Sequence, residues 1–280
     1  MVRSFAKINV YLAVRARRED GYHEIESLLC PVSIHDTITL APEKAGIIRV
    51  TCPAPGVPED ETNLAHKAAR LFSQSLGQNP GVHIHIEKAI PAGAGLGGGS
   101  SNAATVLGSL NQMSGFPFSA PELARMAASL GADVPFFLLG KPAWATGIGD
   151  VLEPFTGLEP QSVVIVYPGF EVSTVWAYKN LNLTLTMKQK NHTVRWAKTG
   201  HLNAVDILFN DLESVTIPGY PEIGRVKEAL VCAGAGGALM SGSGSSVFGL
   251  FSDARQAQAA RAFLASGHGQ WSVFCARMLV

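Results

Sequence analysis

The 280 residues carry 22 Lys plus Arg against 22 Asp plus Glu, and only 16% of the chain is charged. No basic run is long enough to follow a phosphodiester backbone and no stretch reaches about 20 apolar residues, which argues against a nucleic-acid partner and a membrane span. Four cysteines without a CxxC pair point to reduced thiols in a cytoplasmic protein, and the length suits two domains.

In chain order, residues 5–14 and 37–40 alternate apolar and polar at period two, the mark of half-buried strands, and the polar stretch 15–23 between them reads as a turn. Helical spacing follows over 64–76 with a stop at Gly77, then strict alternation returns over 81–86. A glycine-rich loop comes directly after that strand, and Val106, Leu107, Leu110 and Met113 place a helix over 101–113. Ser119 and Glu122 form a capping box with Pro121 just inside, predicting a helix to 130 that ends at a breaker over 131–135. Strands are expected at 143–146 and 163–167, with a second breaker at 147–150. Helices at 222–232 and 254–265 flank a strand-turn-strand at 238–251, which suggests a β-α-β-β-α-β arrangement. A boundary near 155 then divides the chain into domains 1–155 and 156–280, and 181–199 reads as a variable excursion.

The loop runs Pro91, Ala92, Gly93, Ala94, Gly95, Leu96, Gly97, Gly98, Gly99, Ser100, Ser101. Five glycines in seven positions let backbone amides converge on an anion, and the helix that follows adds free amides and the positive end of its dipole. A plain tight turn needs one or two glycines and no serines at a helix start. The spacing Gly93-x-Gly95-x-x-Gly98 formally satisfies the dinucleotide fingerprint, but no second strand ending in an acidic residue follows about 20 residues on. No Lys follows the glycines as a Walker loop requires. A third kind of phosphate loop remains.

Lys7 and Asp133 each stand in an apolar setting where an isolated charge is costly, so the two are expected to neutralise each other, as a catalytic pair or as a structural salt bridge. Tyr22 and His23 sit together in a polar turn. His83 and His85 share a strand face, and with no third ligand near in sequence they read as solvent-facing rather than as a zinc site. Lys88 is left between a nucleotide contact and a strand end.

The segment PAGAGLGGGSSNAA resembles the second motif of the GHMP kinases, AKINVYL at residues 6–12 resembles their first, and MSGSGSSVF at 240–248 resembles their third. The resemblance implies an α+β, two-domain fold: an N-terminal ATP-binding lobe like domain 2 of ribosomal protein S5 and a C-terminal ferredoxin-like substrate lobe, with the active site in the cleft. It also implies ATP as co-substrate with Mg²⁺. Residues 20–24 (DGYHE), the triple glycine before SSNAAT and LGADVP at 130–135 are similar to the branch that phosphorylates an alcohol carrying a cytidine diphosphate, in the non-mevalonate route to isoprenoid precursors. For that branch Asp133 accepts the proton of the 2-hydroxyl of a methylerythritol unit, while Lys7 stabilises the reacting oxygen. Tyr22, His23 and Tyr178 take the cytosine, and Asn9, Thr174 and Gly242 complete the substrate contacts. The commoner second motif has serines where this chain has Gly98 and Gly99, which leaves the magnesium ligand open. A homoserine or mevalonate kinase type and a non-catalytic nucleotide sensor are the rival readings; the presence of both Lys7 and Asp133 argues against the sensor. A monomer or weak homodimer is expected.

Overall fold

The computed structural model describes residues 1–78, 80–182, 201–267 and 269–280, so the expected excursion at 181–199 lies almost wholly outside the described residues. Two compact units are present: Met1–Ala6, His35–Ala92 and Gly97–Gly140 form the first; Lys7–Ile34, Gly93–Leu96 and Lys141–Val280 form the second. Two long strands, β1 (Val2–Arg17) and β2 (His23–Glu43), contribute to both.

In the first unit, β3 (Ile48–Thr51) runs parallel to β4 (Gly81–Glu87), and β4 pairs antiparallel with the far half of β2, from Thr37 opposite Glu87 to Glu43 opposite Gly81. Alternation along these strands turns Ile38, Val82, Ile84 and Ile86 to one side, where Phe72 of α1 (Leu64–Leu76) and Val106 and Leu107 of α2 (Gly98–Met113) complete a core. Phe72 is 1% exposed, so truncating it to Ala would cost about 3–5 kcal/mol. Helix α1 starts where Asn63 accepts from the amide of Ala65 and stops at Gly77, whose φ of 67° a side chain would disfavour. The capping box of Ser119 and Glu122 opens α3 (Ala120–Leu130) as the sequence predicts. The expected stop falls at Gly131, which ends α3 after Leu130, but Val134 and Pro135 at the far end of that breaker open a short helix, α4 (Val134–Leu139). Pro135 lies in its first turn, where a missing N–H costs nothing.

The second unit contains the hairpin β5 (Ala143–Thr146) and β6 (Val151–Pro154), with β5 paired to Ser27–Leu29 of β2. Its antiparallel sheet has the order β11 (Ser272–Arg277), β7 (Ser162–Tyr167), β10 (Val247–Phe251), β9 (Gly237–Met240). Helices α5 (Thr174–Asn180), α6 (Glu213–Gly219) and α7 (Pro221–Cys232) lie between β7 and β9 in sequence, and α8 (Ala254–Gly267) lies between β10 and β11. The first strand therefore sits between the third and the last, which is the split β-α-β arrangement the sequence suggested. Val164, Val166, Val226, Leu230, Ala257 and Leu264 fill the space between sheet and helices. A two-residue strand, β8 (Phe209–Asn210), runs parallel to β1 at Tyr11 and Leu12.

The turn expected at 15–23 is shorter: β1 continues to Arg17 and β2 resumes at His23. Arg15 on β1 pairs with Glu26 on β2, so these polar residues are a cross-strand pair rather than loop. Among the described residues no helix is long and apolar enough to cross a membrane. All four cysteines are free thiols, and burial pushes Cys30 up to about 12, where no reactive thiolate forms near neutrality.

Candidate active site

The loop between β4 and α2 has left-handed glycines at 93, 95 and 97, with φ of 61°, 76° and 71°. Gly97 caps α2, and the first helical bond runs from the Ser101 amide to the Gly97 carbonyl at 2.9 Å. The amides of Gly98, Gly99 and Ser100 are therefore the free donors of the first turn, pointing along the positive end of the helix dipole. A Cβ at Gly98 would lie 3.0 Å from Lys88 Nζ and 3.1 Å from Ile90 Cγ2, so packing demands glycine there. A Cβ at Gly99 would meet only Leu64 Cδ1 at 3.6 Å. Packing does not explain Gly99; a bare backbone at this position leaves its amide open to a ligand. Ser101 is 1% exposed and its hydroxyl bonds Ser4 Oγ at 2.7 Å, whereas Ser100 is only half-buried.

The middle of the loop, Gly93–Leu96, is fastened within the second unit. Ser241 Oγ donates to the Gly95 carbonyl at 3.0 Å, the Ser246 amide donates to the Ala94 carbonyl at 3.2 Å, and the Lys7 amide donates to the Leu96 carbonyl at 3.0 Å. Lys7 Nζ donates to Asn9 Oδ1 at 2.7 Å, and Asn9 Nδ2 donates to Ser27 Oγ at 2.9 Å. Lys7 and Asn9 point to the same side of β1, as strand periodicity predicts, and both are buried. A Cβ at Gly242 would sit 3.4 Å from Asn9 Oδ1, 3.4 Å from the Gly95 carbonyl and 3.6 Å from Lys7 Nζ. Residues of all three sequence motifs thus meet around Lys7 and Gly242. Thr174 joins them through a 2.8 Å hydroxyl contact with Ser243.

His23 and Tyr178 lie together with ring centroids 5.1 Å apart and planes tilted by 31°, while Tyr22 is 61% exposed. The first unit carries Asp133, immediately before α4; its carboxylate does not cap that helix. His83 and His85 share a single partner, each ring nitrogen lying 2.8 Å from the Thr51 hydroxyl across β3 and β4.

Sequence reasoning missed two residues here. Asp36, fully buried, pairs with Lys88 at 2.5 Å, which gives the unassigned lysine its partner. Asn210 donates from Nδ2 to the carbonyls of Met240 and Gly242 at 2.8 Å each, holding the third motif in place. The available signal for Asp36 was an acidic residue inside a strand otherwise rich in Ile and Thr; nothing local marks Asn210.

Burial, reinforced by Arg17, holds the His23 imidazole below its ordinary range, and burial with Arg70 does the same to His66. A lowered folded pKa means that the unfolded chain binds more protons as pH falls through the ordinary histidine range. Stability from these residues is therefore complete above about pH 6.5 and is lost as the pH drops below it. Thermal melts between pH 5 and 8 are expected to show Tm rising with pH, less steeply once His66 and His23 are each replaced by Gln. An unchanged slope would assign the pH dependence to other groups.

A family model described as GHMP kinases N terminal domain matches residues 63–141, and one described as GHMP kinases C terminal matches 189–269. The chain is 49% identical over 269 residues to a 4-diphosphocytidyl-2-C-methyl-D-erythritol kinase of Syntrophotalea carbinolica, covering 96% of this chain and 95% of that one. It is 43% identical to the protein of the same name from Syntrophus aciditrophicus, covering 99% of each. A crystal structure of 4-(cytidine 5'-diphospho)-2C-methyl-D-erythritol kinase superposes with a TM-score of 0.81 at 35% identity, covering 99% of this chain and 98% of that one. Within the GHMP kinases, the chain belongs to the 4-diphosphocytidyl-2-C-methyl-D-erythritol kinase family.

Proposed function

We propose that this chain transfers the γ-phosphoryl group of ATP to the 2-hydroxyl of 4-(cytidine 5'-diphospho)-2-C-methyl-D-erythritol, releasing ADP, in the non-mevalonate route to isoprenoid precursors. The observation that carries it is near-full-length likeness to kinases named for that substrate, together with a glycine-rich loop opening α2. Incubation with ATP, Mg²⁺ and that alcohol is expected to give ADP and a 2-phosphorylated product in equal amounts. Turnover of homoserine or mevalonate instead would overturn the substrate.

Residue roles follow from chemistry. Phosphoryl transfer is chiefly positioning and charge stabilisation. The amides of Gly98, Gly99 and Ser100 serve the ATP phosphates, with residues 91–97 shaping the loop and the hydroxyl of Ser100 facing them; Ser101, engaged with Ser4, holds the helix start. Asp133 takes the proton of the attacking hydroxyl, and Lys7, oriented by Asn9, stabilises that oxygen as charge develops. Among the described residues no group of three or more His, Cys, Asp or Glu side chains could hold a metal. Mg²⁺ dehydrates reluctantly, so it would be carried by the ATP phosphates and water, with the hydroxyl of Ser100 or Ser101 as the side-chain ligand. When bound, the ion neutralises phosphate charge. A domain boundary near 155 belongs to the same reading, supported by a C-terminal sheet whose strands all follow residue 161.

His23 and Tyr178 are the surfaces for cytosine, one offering ring nitrogens and the other a π-face, with Tyr22 next to them in sequence; Gly242, beside Lys7 and Asn9, and Thr174, bonded to Ser243, complete the substrate contacts. Base stacking on an aromatic contributes about 1–3 kcal/mol, so Tyr178→Ala is expected to raise the KM for the cytidyl substrate about tenfold or more while the KM for ATP holds. CMP and CDP should compete with that substrate in the wild type. Equal shifts in both KM values would remove Tyr178 from the cytosine site.

A further inference from the structure

Asp36 is fully buried in β2, yet every hydrogen bond its carboxylate accepts comes from the two ends of the phosphate loop. Its Oδ1 accepts from the amides of Ala89 and Ile90, at 2.8 and 2.9 Å, which are the residues entering the loop. Its Oδ2 accepts from Lys88 Nζ at 2.5 Å and from Asn102 Nδ2 at 2.9 Å, and Asn102 stands in the first turns of α2, where the chain leaves the loop. Asn102 Nδ2 also donates to Ser4 Oγ at 2.9 Å, and Ser4 in turn bonds Ser101. Lys88 reaches Asn102 Oδ1 as well, at 3.4 Å. All of these residues belong to the first unit.

A buried carboxylate is costly unless its oxygens are satisfied, and four donors satisfy this one. Replacing such a pair by apolar residues is often neutral for stability, so stability alone is a weak reason to bury the charge. Its directional effect is specific: one rigid group fixes the distance between the loop's entry and its exit. We infer that Asp36 is a positioning residue for ATP, setting the span across which the amides of Gly98, Gly99 and Ser100 meet the phosphates. The inference rests on the ATP reading of the loop.

Two physical accounts of Asp36 predict opposite signs. If it acted only through charge, its removal would leave the Lys88 ammonium uncompensated close beneath Gly98, and phosphate binding would tighten. If it acts by position, binding weakens, because a misplacement of about 1 Å can cost a factor of about 100. Asp36→Asn is close to isosteric, but its NH₂ donates only and cannot accept from Lys88 and Asn102.

The test measures KM for ATP, KM for the cytidyl alcohol, kcat and Tm for the wild type, Asp36→Asn and Ser4→Ala. Asp36→Asn is expected to raise the KM for ATP about tenfold or more and to leave the KM for the alcohol within about twofold. Ser4→Ala, which cuts only the arm to Ser101 and Asn102, should raise the KM for ATP by a smaller factor with the fold intact. An unchanged or lowered KM for ATP in Asp36→Asn overturns the inference, as does an equal rise in both KM values. If Asp36→Asn does not fold, Ser4→Ala decides: an unchanged KM for ATP overturns it. A wild type that never saturates with ATP would refute the ATP reading of the loop itself, a result separate from any effect of Asp36.

Discussion

Replacing Asp133 by Asn is expected to lower kcat by about 10² to 10⁴ with little change in the KM for ATP. The amide matches the carboxylate in shape but cannot take a proton from the attacking hydroxyl, and a loss of that size corresponds to about 2.7–5.5 kcal/mol of barrier. Asp133 begins α4 without capping it, and Val134 and Phe136 on either side of Pro135 are fully buried, so packing anchors the backbone that carries the carboxylate. The substitution should accordingly leave the fold close to wild type. Single-turnover rates with saturating ATP check the prediction. A near-normal rate would leave Asp133 with a structural role only.

The second large effect is expected from Gly95→Ala. At φ of 76° an alanine is already strained, by about 1–2 kcal/mol. The steric term is larger: its Cβ would lie 2.2 Å from the Ser241 carbonyl oxygen and 2.9 Å from that of Gly244, both backbone atoms that cannot rotate aside. Either Gly93–Leu96 or the turn over 241–244 must move, breaking the bonds that Ser241 and Ser246 make to this stretch. The same motion displaces Gly242 from Lys7 and Asn9. A fall in kcat/KM of about 100-fold or more is expected, together with a lower Tm. Gly99→Ala supplies the contrast, since a Cβ there meets nothing closer than 3.6 Å: the fold and Tm should hold, and any loss should appear in the KM for ATP alone. Wild-type kinetics in Gly95→Ala would mean that the loop does not need the turn at 241–244.

The elements that could be read from residue order were those whose signals are local. Gly77 ends α1 and the Ser119–Glu122 box opens α3 because capping involves residues within three or four positions of each other. Three strands of the C-terminal sheet and the helices at 222–232 and 254–265 were legible because they carry distinct apolar periods, whereas β11 was given no residues of its own. Helix α4 was hidden because Gly131 and Pro135 are common breakers, and only the packing of Val134 and Phe136 reveals that this proline sits in a first turn. The turn at 15–23 was overestimated because Arg15 looks like a loop residue until it is seen facing Glu26 across two strands.

Taken by itself, the amino-acid order determined the glycine-rich loop and the elements that flank it, and it singled out Lys7, Asn9, His23 and Asp133 as candidates, since each is marked by composition, period or motif within a short window. Tertiary structure alone decided the partners: Asp36 to Asn102, 66 positions apart; Ser241 to Gly95, 146 apart; and Asn210 to Gly242, 32 apart. A local window encodes the backbone conformation its residues prefer. It does not encode which distant strand will lie alongside, and hydrogen-bond satisfaction of a buried polar group is settled only when register and packing bring its donors within about 3 Å.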